Sequence, residues 1–159
     1  MRSNGFFKVH AGVRLRGRNK LYIGSKSEIF PGAYLKSAPG AVVVGERTSI
    51  GEYTIINAMC EVKIGSDCLI APHCFVTDAN HNFEDIRVPI SAQGRTCRPI
   101  IIGDDVWIGA HVVVASGVKI GSGSVVGAGS LVLDSFPKNS VIAGSPARLI
   151  RRRADCHIQ

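Results

Sequence analysis

Ile, Leu and Val return at every sixth residue through most of this chain. The longest run is Ile102, Ile108, Val114, Ile120, Val126 and Val132, and shorter runs are Ile64–Ile70–Val76, Val44–Ile50–Ile56 and Ile23–Ile29–Leu35. Gly follows these rungs at several steps, as at Gly45, Gly65, Gly103 and Gly121. Four residues after a rung the side chain is small: Ser27, Ala33, Thr48, Thr54, Cys60, Cys68, Cys74, Ser124 and Ser130. A six-residue period predicts a parallel β-helix. Each hexad supplies a short strand and a tight turn, and three hexads close one triangular coil. The rungs point inward as aliphatic columns that only stacking can bury. Gly after the rung is expected for its backbone freedom. Five coils are legible, at 23–40, 44–61, 64–81, 102–119 and 120–137.

The breaks in register carry as much information. Leu35 to Val44 spans nine residues and Ile56 to Ile64 spans eight. The long break leaves residues 82–101 off the ladder, in a stretch that holds Pro89, Gly94, Pro99, Arg87, Arg95 and Arg98. Loops of this length in a compact domain usually serve function. The first twenty residues are basic and loosely patterned, which predicts an irregular starting coil. In the tail, 138–159, Ala147–Ala154 is expected to form a short basic helix after Pro146. At 159 residues the chain, 1–159, reads as one all-β domain.

Composition narrows the function. No targeting segment and no uninterrupted apolar stretch of membrane length is visible, so no membrane span is expected. The five cysteines include no C-x-x-C pair. Cys60, Cys68 and Cys74 sit at the small place of their hexads and read as inward fillers. Together these features point to a reducing, cytoplasmic setting. The net charge of +7 favours anionic partners, with a cluster at Arg148, Arg151, Arg152 and Arg153. Nucleic acid is disfavoured, because the few aromatic residues are not interleaved with the basic ones.

Residues 99–132 (PIIIGDDVWIGAHVVVASGVKIGSGSVVGAGSLV) and 137–151 (PKNSVIAGSPARLIR) resemble the hexapeptide acyltransferases. The likeness is to the branch of galactoside and maltose O-acetyltransferases, xenobiotic acetyltransferases and small enzymes of lipopolysaccharide or capsule biosynthesis. It covers about 44–151. It implies a left-handed parallel β-helix, a homotrimer with sites between subunits, and acetyl-CoA as donor. It also implies acetylation of a sugar or glycan-precursor hydroxyl, or, as the nearest variant, N-acetylation of an amino sugar. No counterpart of the amino-terminal helical region of the galactoside and maltose enzymes is expected.

The stretch IGSDCLIAPHCFVTDANH, 64–81, is similar to the family coil that ends in a catalytic histidine, which places His81 as general base. Imidazole suits that task because it titrates near neutral pH. Asp78, Glu61 and Asp85 are candidate acids to orient it. Glu61 stands one coil from His81 in a similar corner, and Asn57 is a candidate contact to the acceptor; Asn57, Glu61 and Asp78 together form the expected acceptor-side set. On the donor side the resemblance implies backbone contacts at Ala110 and Ala128, Trp107 near the junction of donor and acceptor, and Arg148 and Arg151 on the phosphates. Lys138 is a weaker candidate. Asp134 stands where relatives carry Lys, which is unfavourable beside a phosphate. A gamma-carbonic-anhydrase-like metal trimer is the rival from a different class. It would need His73, His81 and His111 to converge on one metal ion. His73 and His111 fall three places after their rungs and His81 five, so no metal is expected. His10 and His157 carry no signal.

Overall fold

The computed structural model describes residues 5–17, 20–37 and 39–153. The chain winds as a parallel β-solenoid of about seven turns. Each full coil passes through three sheets in the same order, as at Glu28–Ile29 (sheet I), Tyr34–Ser37 (sheet II) and Ala41–Val44 (sheet III). Sheet I has eight strands, sheet II six and sheet III five. Three columns of corners join them: first (I to II), second (II to III) and third (III to I).

The six-residue ladder becomes the core. In sheet III, Ile23, Val44, Ile64, Ile102 and Ile120 stand in register. In sheet I the column is Ile29, Ile50, Ile70, Ile108, Val126 and Ile142. These side chains are almost wholly buried. Removing such aliphatic columns from water is the main favourable term in folding. The small residues at the fourth place are buried at the corners, where Thr48, Thr54 and Ser27 also donate from their hydroxyls to backbone carbonyls of the adjoining coil. Burial pushes the Cys68 and Cys74 thiols up, so both are held as neutral fillers.

Four expectations change. First, the glycine after each rung is not in a left-handed conformation. At all but Gly127, where the close neighbour is the Ala143 methyl, a Cβ would collide with the backbone of the next coil: at Gly45 it would lie 2.5 Å from the Gly65 carbonyl carbon and the Ser66 nitrogen. The positive φ angles fall two places later, at residues such as Lys26, Arg47, Tyr53, Asp67, His73 and His111. Second, the ladder extends beyond the five coils read from sequence. Lys8–Val9 and Arg14–Arg16 already pair in parallel with Glu28–Ile29 and Tyr34–Lys36, and Ile142 continues the sheet I column. Third, Ala147–Arg152 is a strand, folded antiparallel onto Ser140–Gly144, and not a helix. Turning back after Gly144 lets the basic segment cover the end of sheet I and bury Ala147. Ala154, the expected helix end, and His157 lie outside the described residues. Fourth, Cys60 is half-buried and disulfide-bonded to Cys97, 37 residues away, so it is not a free filler and cannot support the reading of a reducing setting.

The insertion is ordered. The chain leaves the prism at the second corner after Phe75–Thr77. It forms an antiparallel hairpin from Ala79–His81 and Arg95–Cys97, with a 3-10 turn at Ile90–Ala92, and rejoins sheet III at Ile100. Asp85, whose carboxylate receives both the side chain and the N–H of Arg87, braces its tip.

Gly45→Ala tests the close approach of the coils. Overpacking against backbone costs about 1–3 kcal/mol, so the thermal midpoint should fall by roughly 3–10 °C. Equal midpoints for the wild type and Gly45→Ala would contradict the steric reason.

Candidate active site

His81 ends the outgoing strand of the hairpin and is exposed, directly opposite Arg95. It stands clear of the prism at the second corner because Asp78 fixes the point of departure. Asp78 is fully buried. Its carboxylate accepts hydrogen bonds from the backbone N–H groups of Met59, Cys60 and Glu61, each at 2.7 Å. Its carbonyl accepts from Arg98 N–H and from the Ser116 hydroxyl. Both ends of the excursion are thus tied to the coils on either side, with the Cys60–Cys97 bond beside them.

These contacts sort the candidate acids. The Asp78 carboxylate is committed to the turn at 59–61 and is closed to solvent. Asp85 is paired with Arg87, which holds its carboxyl below the usual range. Glu61 is half-buried at the second corner and has no side-chain partner among the described residues. Asn57 lies in register between Lys36 and Thr77 on the outer face of sheet II, and its amide donates to the Thr77 hydroxyl at 3.4 Å.

The donor-side candidates gather elsewhere. Ala110 and Ala128 stack at the first corner, because Ile108 and Val126 just before them are register partners. The Ala110 carbonyl accepts from Gly129 N–H at 2.8 Å. At the third corner, the N–H two places after the rung is capped by a side chain: Glu46 by Ser66, Ser66 by Asp104, and Asp104 by Ser122. Among the described residues no side chain caps the equivalent N–H of Ala110 or Ala128. The first corner therefore presents open donors flanked by methyl groups.

Arg148 stands at the top of this column, opposite Ala143 in the fold-back strand. It is exposed, and its guanidinium reaches the Asp134 carboxylate at 3.3 Å. Arg151 pairs with Val141, farther back along sheet I. Trp107 projects from the face of sheet I between Leu69 and Val125, half exposed beside a cavity of about 300 Å³ that Arg153 also lines. Arg153 is held there by Asp105 at 2.7 Å, a position that its place in the basic cluster does not reveal. Lys138 contributes its carbonyl to Arg152.

His81 is thus at the second corner, while Ala110, Ala128 and Arg148 are at the first, with sheet II between them. One chain does not bring the two sets together. His73 and His111 are also at the first corner, where their rings stack flat on each other (centroids 5.1 Å apart) and the other face of His73 stacks on Tyr53. They do not converge with His81 within the chain, and among the described residues no group of three His, Cys, Asp or Glu side chains is placed to hold a metal ion.

Comparison with known proteins agrees with this architecture. Residues 99–134 match the family described as bacterial transferase hexapeptide (six repeats). The chain is 34% identical over 149 residues to the polysialic acid O-acetyltransferase of Escherichia coli O1:K1 / APEC, an alignment covering 92% of this chain and 43% of that protein. It is 40% identical over 109 residues to the galactoside O-acetyltransferase of Escherichia coli K12, covering 68% of this chain and 49% of that protein. The chain spans about half the length of the curated relatives it matches. Among solved structures, a mutant of AntD, an N-acyltransferase from Bacillus cereus in complex with dTDP-4-amino-4,6-dideoxyglucose and coenzyme A, superposes with a TM-score of 0.80 at 25% identity, covering 94% of this chain and 83% of that one.

Asp78→Asn tests the anchoring of the hairpin. An amide cannot accept three N–H bonds in the same geometry, and a buried unsatisfied donor costs about 1–3 kcal/mol. We expect a lower thermal midpoint and faster amide exchange at 59–61. A variant that melts and exchanges like the wild type would release Asp78 from this structural role.

Proposed function

We propose that this chain, which belongs to the hexapeptide-repeat transferases, is an acyltransferase that moves an acetyl group from acetyl-CoA to a hydroxyl of a sugar or glycan precursor. The observation that carries the reading is the division of labour between corners. The first corner offers a straight edge of uncapped N–H groups, small side chains and a terminal arginine, which suits an extended amide-bearing thioester ending in phosphate. The second corner holds an exposed imidazole on a braced hairpin. Since one chain keeps the two apart, the working site is formed where the first corner of one copy meets the second corner of another, in a homotrimer.

In this site the His81 imidazole takes the proton of the acceptor hydroxyl. The acceptor oxygen bonds to the acyl carbonyl carbon, the carbon–sulfur bond breaks, and the imidazolium returns its proton to the leaving thiolate. A base of this kind supplies about 100- to 10,000-fold in rate. Glu61 is the acid best placed to orient it, being at the same corner and uncommitted. Ala110 and Ala128 donate their N–H groups to the amides of the donor arm, and Arg148 meets its phosphates in competition with Asp134. Arg151 is set back from that edge and contributes less. The two relatives aligned above support transfer to oxygen, at 34% and 40% identity, over transfer to nitrogen, for which the likeness is 25%.

The test is thiol release from acetyl-CoA across a panel of free sugars, glycosides and nucleotide sugars. His81→Ala should lower turnover about a hundredfold or more while leaving acetyl-CoA binding near normal. Unchanged turnover removes His81 from the reaction. Arg148→Ala should raise the KM for acetyl-CoA more than it lowers kcat, with a weaker dependence of KM on salt. A pure loss of kcat would move Arg148 from donor binding to the chemical step.

A further inference from the structure

We infer that the acceptor carries an anionic group, a carboxylate or phosphate, held beside His81 by Lys36 and Arg95. This deepens the proposed function and rests on it.

A cavity of about 230 Å³ opens on the outer face of sheet II, lined by Lys36, Pro39, Asn57, Met59 and Arg95. It is smaller than the roughly 300–1,000 Å³ that engulfs a whole ligand, so it is a subsite for part of one. Two coils and the insertion meet there. Lys36 and Asn57 are register partners on successive strands of sheet II. Arg95 comes from the returning strand of the hairpin and lies directly opposite His81. Directly opposed residues in an antiparallel pair send their side chains to the same face. A molecule with its hydroxyl at His81 therefore reaches Arg95 within its own length.

The charges are uncompensated. Arg47, Arg87, Arg148 and Arg153 each have a carboxylate partner. Lys36 and Arg95 have none among the described residues, and no acid lines the cavity. The nearby Asp78 carboxylate is already occupied by three backbone N–H groups. Two cations and an amide that converge without a counter-charge make a site for oxyanions, and guanidinium adds a planar fork for them. The Cys60–Cys97 bond and the Asp78 anchor tie the strand that carries Arg95 to the second corner, beside sheet II.

Calorimetry with three probes tests the assignment: methyl glucuronoside, methyl glucoside and UDP-glucose. The wild type should bind at least one of the two anionic probes about tenfold or more tighter than the neutral glucoside, as expected for charge-assisted hydrogen bonds. Whichever binds distinguishes a sugar carboxylate from a nucleotide diphosphate. Lys36→Gln should erase most of that preference, and Lys36→Arg should keep it. Arg95→Gln should weaken anion binding without altering acetyl-CoA binding. Equal affinity for all three probes, or an anion preference untouched by Lys36→Gln and Arg95→Gln together, overturns the inference. Thiol release measured on the same panel separates the two readings. Transfer to neutral and anionic acceptors alike sinks the subsite and leaves the acyltransferase standing. Anion binding through Lys36 without transfer from acetyl-CoA to any acceptor sinks the acyltransferase and leaves the subsite.

Discussion

Parallel pairing of successive coils is the constraint on which everything else in this molecule rests. Paired strands lie about 4.8 Å apart, and the corners must stack at that spacing too. The consequence is visible at Gly24, Gly45 and Gly65, where a single methyl would enter the backbone of the next coil. The same spacing puts identical places of successive hexads on top of one another. Aliphatic rungs become core columns, hydroxyl side chains cap neighbouring turns, and Tyr53, His73 and His111 become a stack of rings. A chemical property repeated in sequence thereby becomes a line in space. The Ala110–Ala128 edge is one such line.

Departures from the repeat then mark where the molecule does something other than stack. The largest is the hairpin that carries His81 and Arg95. It departs from the second corner under the control of one buried carboxylate, that of Asp78, and it is tied back through Cys97. A histidine on a free loop would be a mobile base; here the strand pairing with Arg95–Cys97 fixes its height on the prism. Braced geometry of this kind suits the role of general base proposed for His81, which requires staying within reach of a proton.

Much of this was legible in the chain itself. All fifteen rungs of the six-residue ladder are buried, and the small fourth-place residues fill the corners, Cys60 excepted. His81 sits where the ladder breaks. What sequence could not show was non-local or of the opposite sense. Cys60 meets Cys97 only because the insertion folds back. Asp78 has the sequence position of a surface acid and becomes fully buried because the turn at 59–61 aims three N–H groups at it. The basic run after Pro146 lacks strand alternation, yet it pairs with Ser140–Gly144 because that edge of sheet I is otherwise open. The glycines after the rungs serve close approach and not backbone freedom, two needs that leave the same residue in the sequence. Lys36, Asn57 and Arg95 are 59 residues apart end to end, and only the stacking of coils with the hairpin brings them to one cavity.

The proposed site takes the first corner of one copy and the second corner of another. Mixed assembly measures this directly. His81→Ala disables the second corner, and Ala128→Trp blocks the first; each variant alone should be inactive. Unfolded together in equal amounts and reassembled, they should recover about a quarter of wild-type activity, because a quarter of the shared sites then combine two intact halves. No recovery, from assemblies shown by mass to contain both variants, would contradict a site shared between copies.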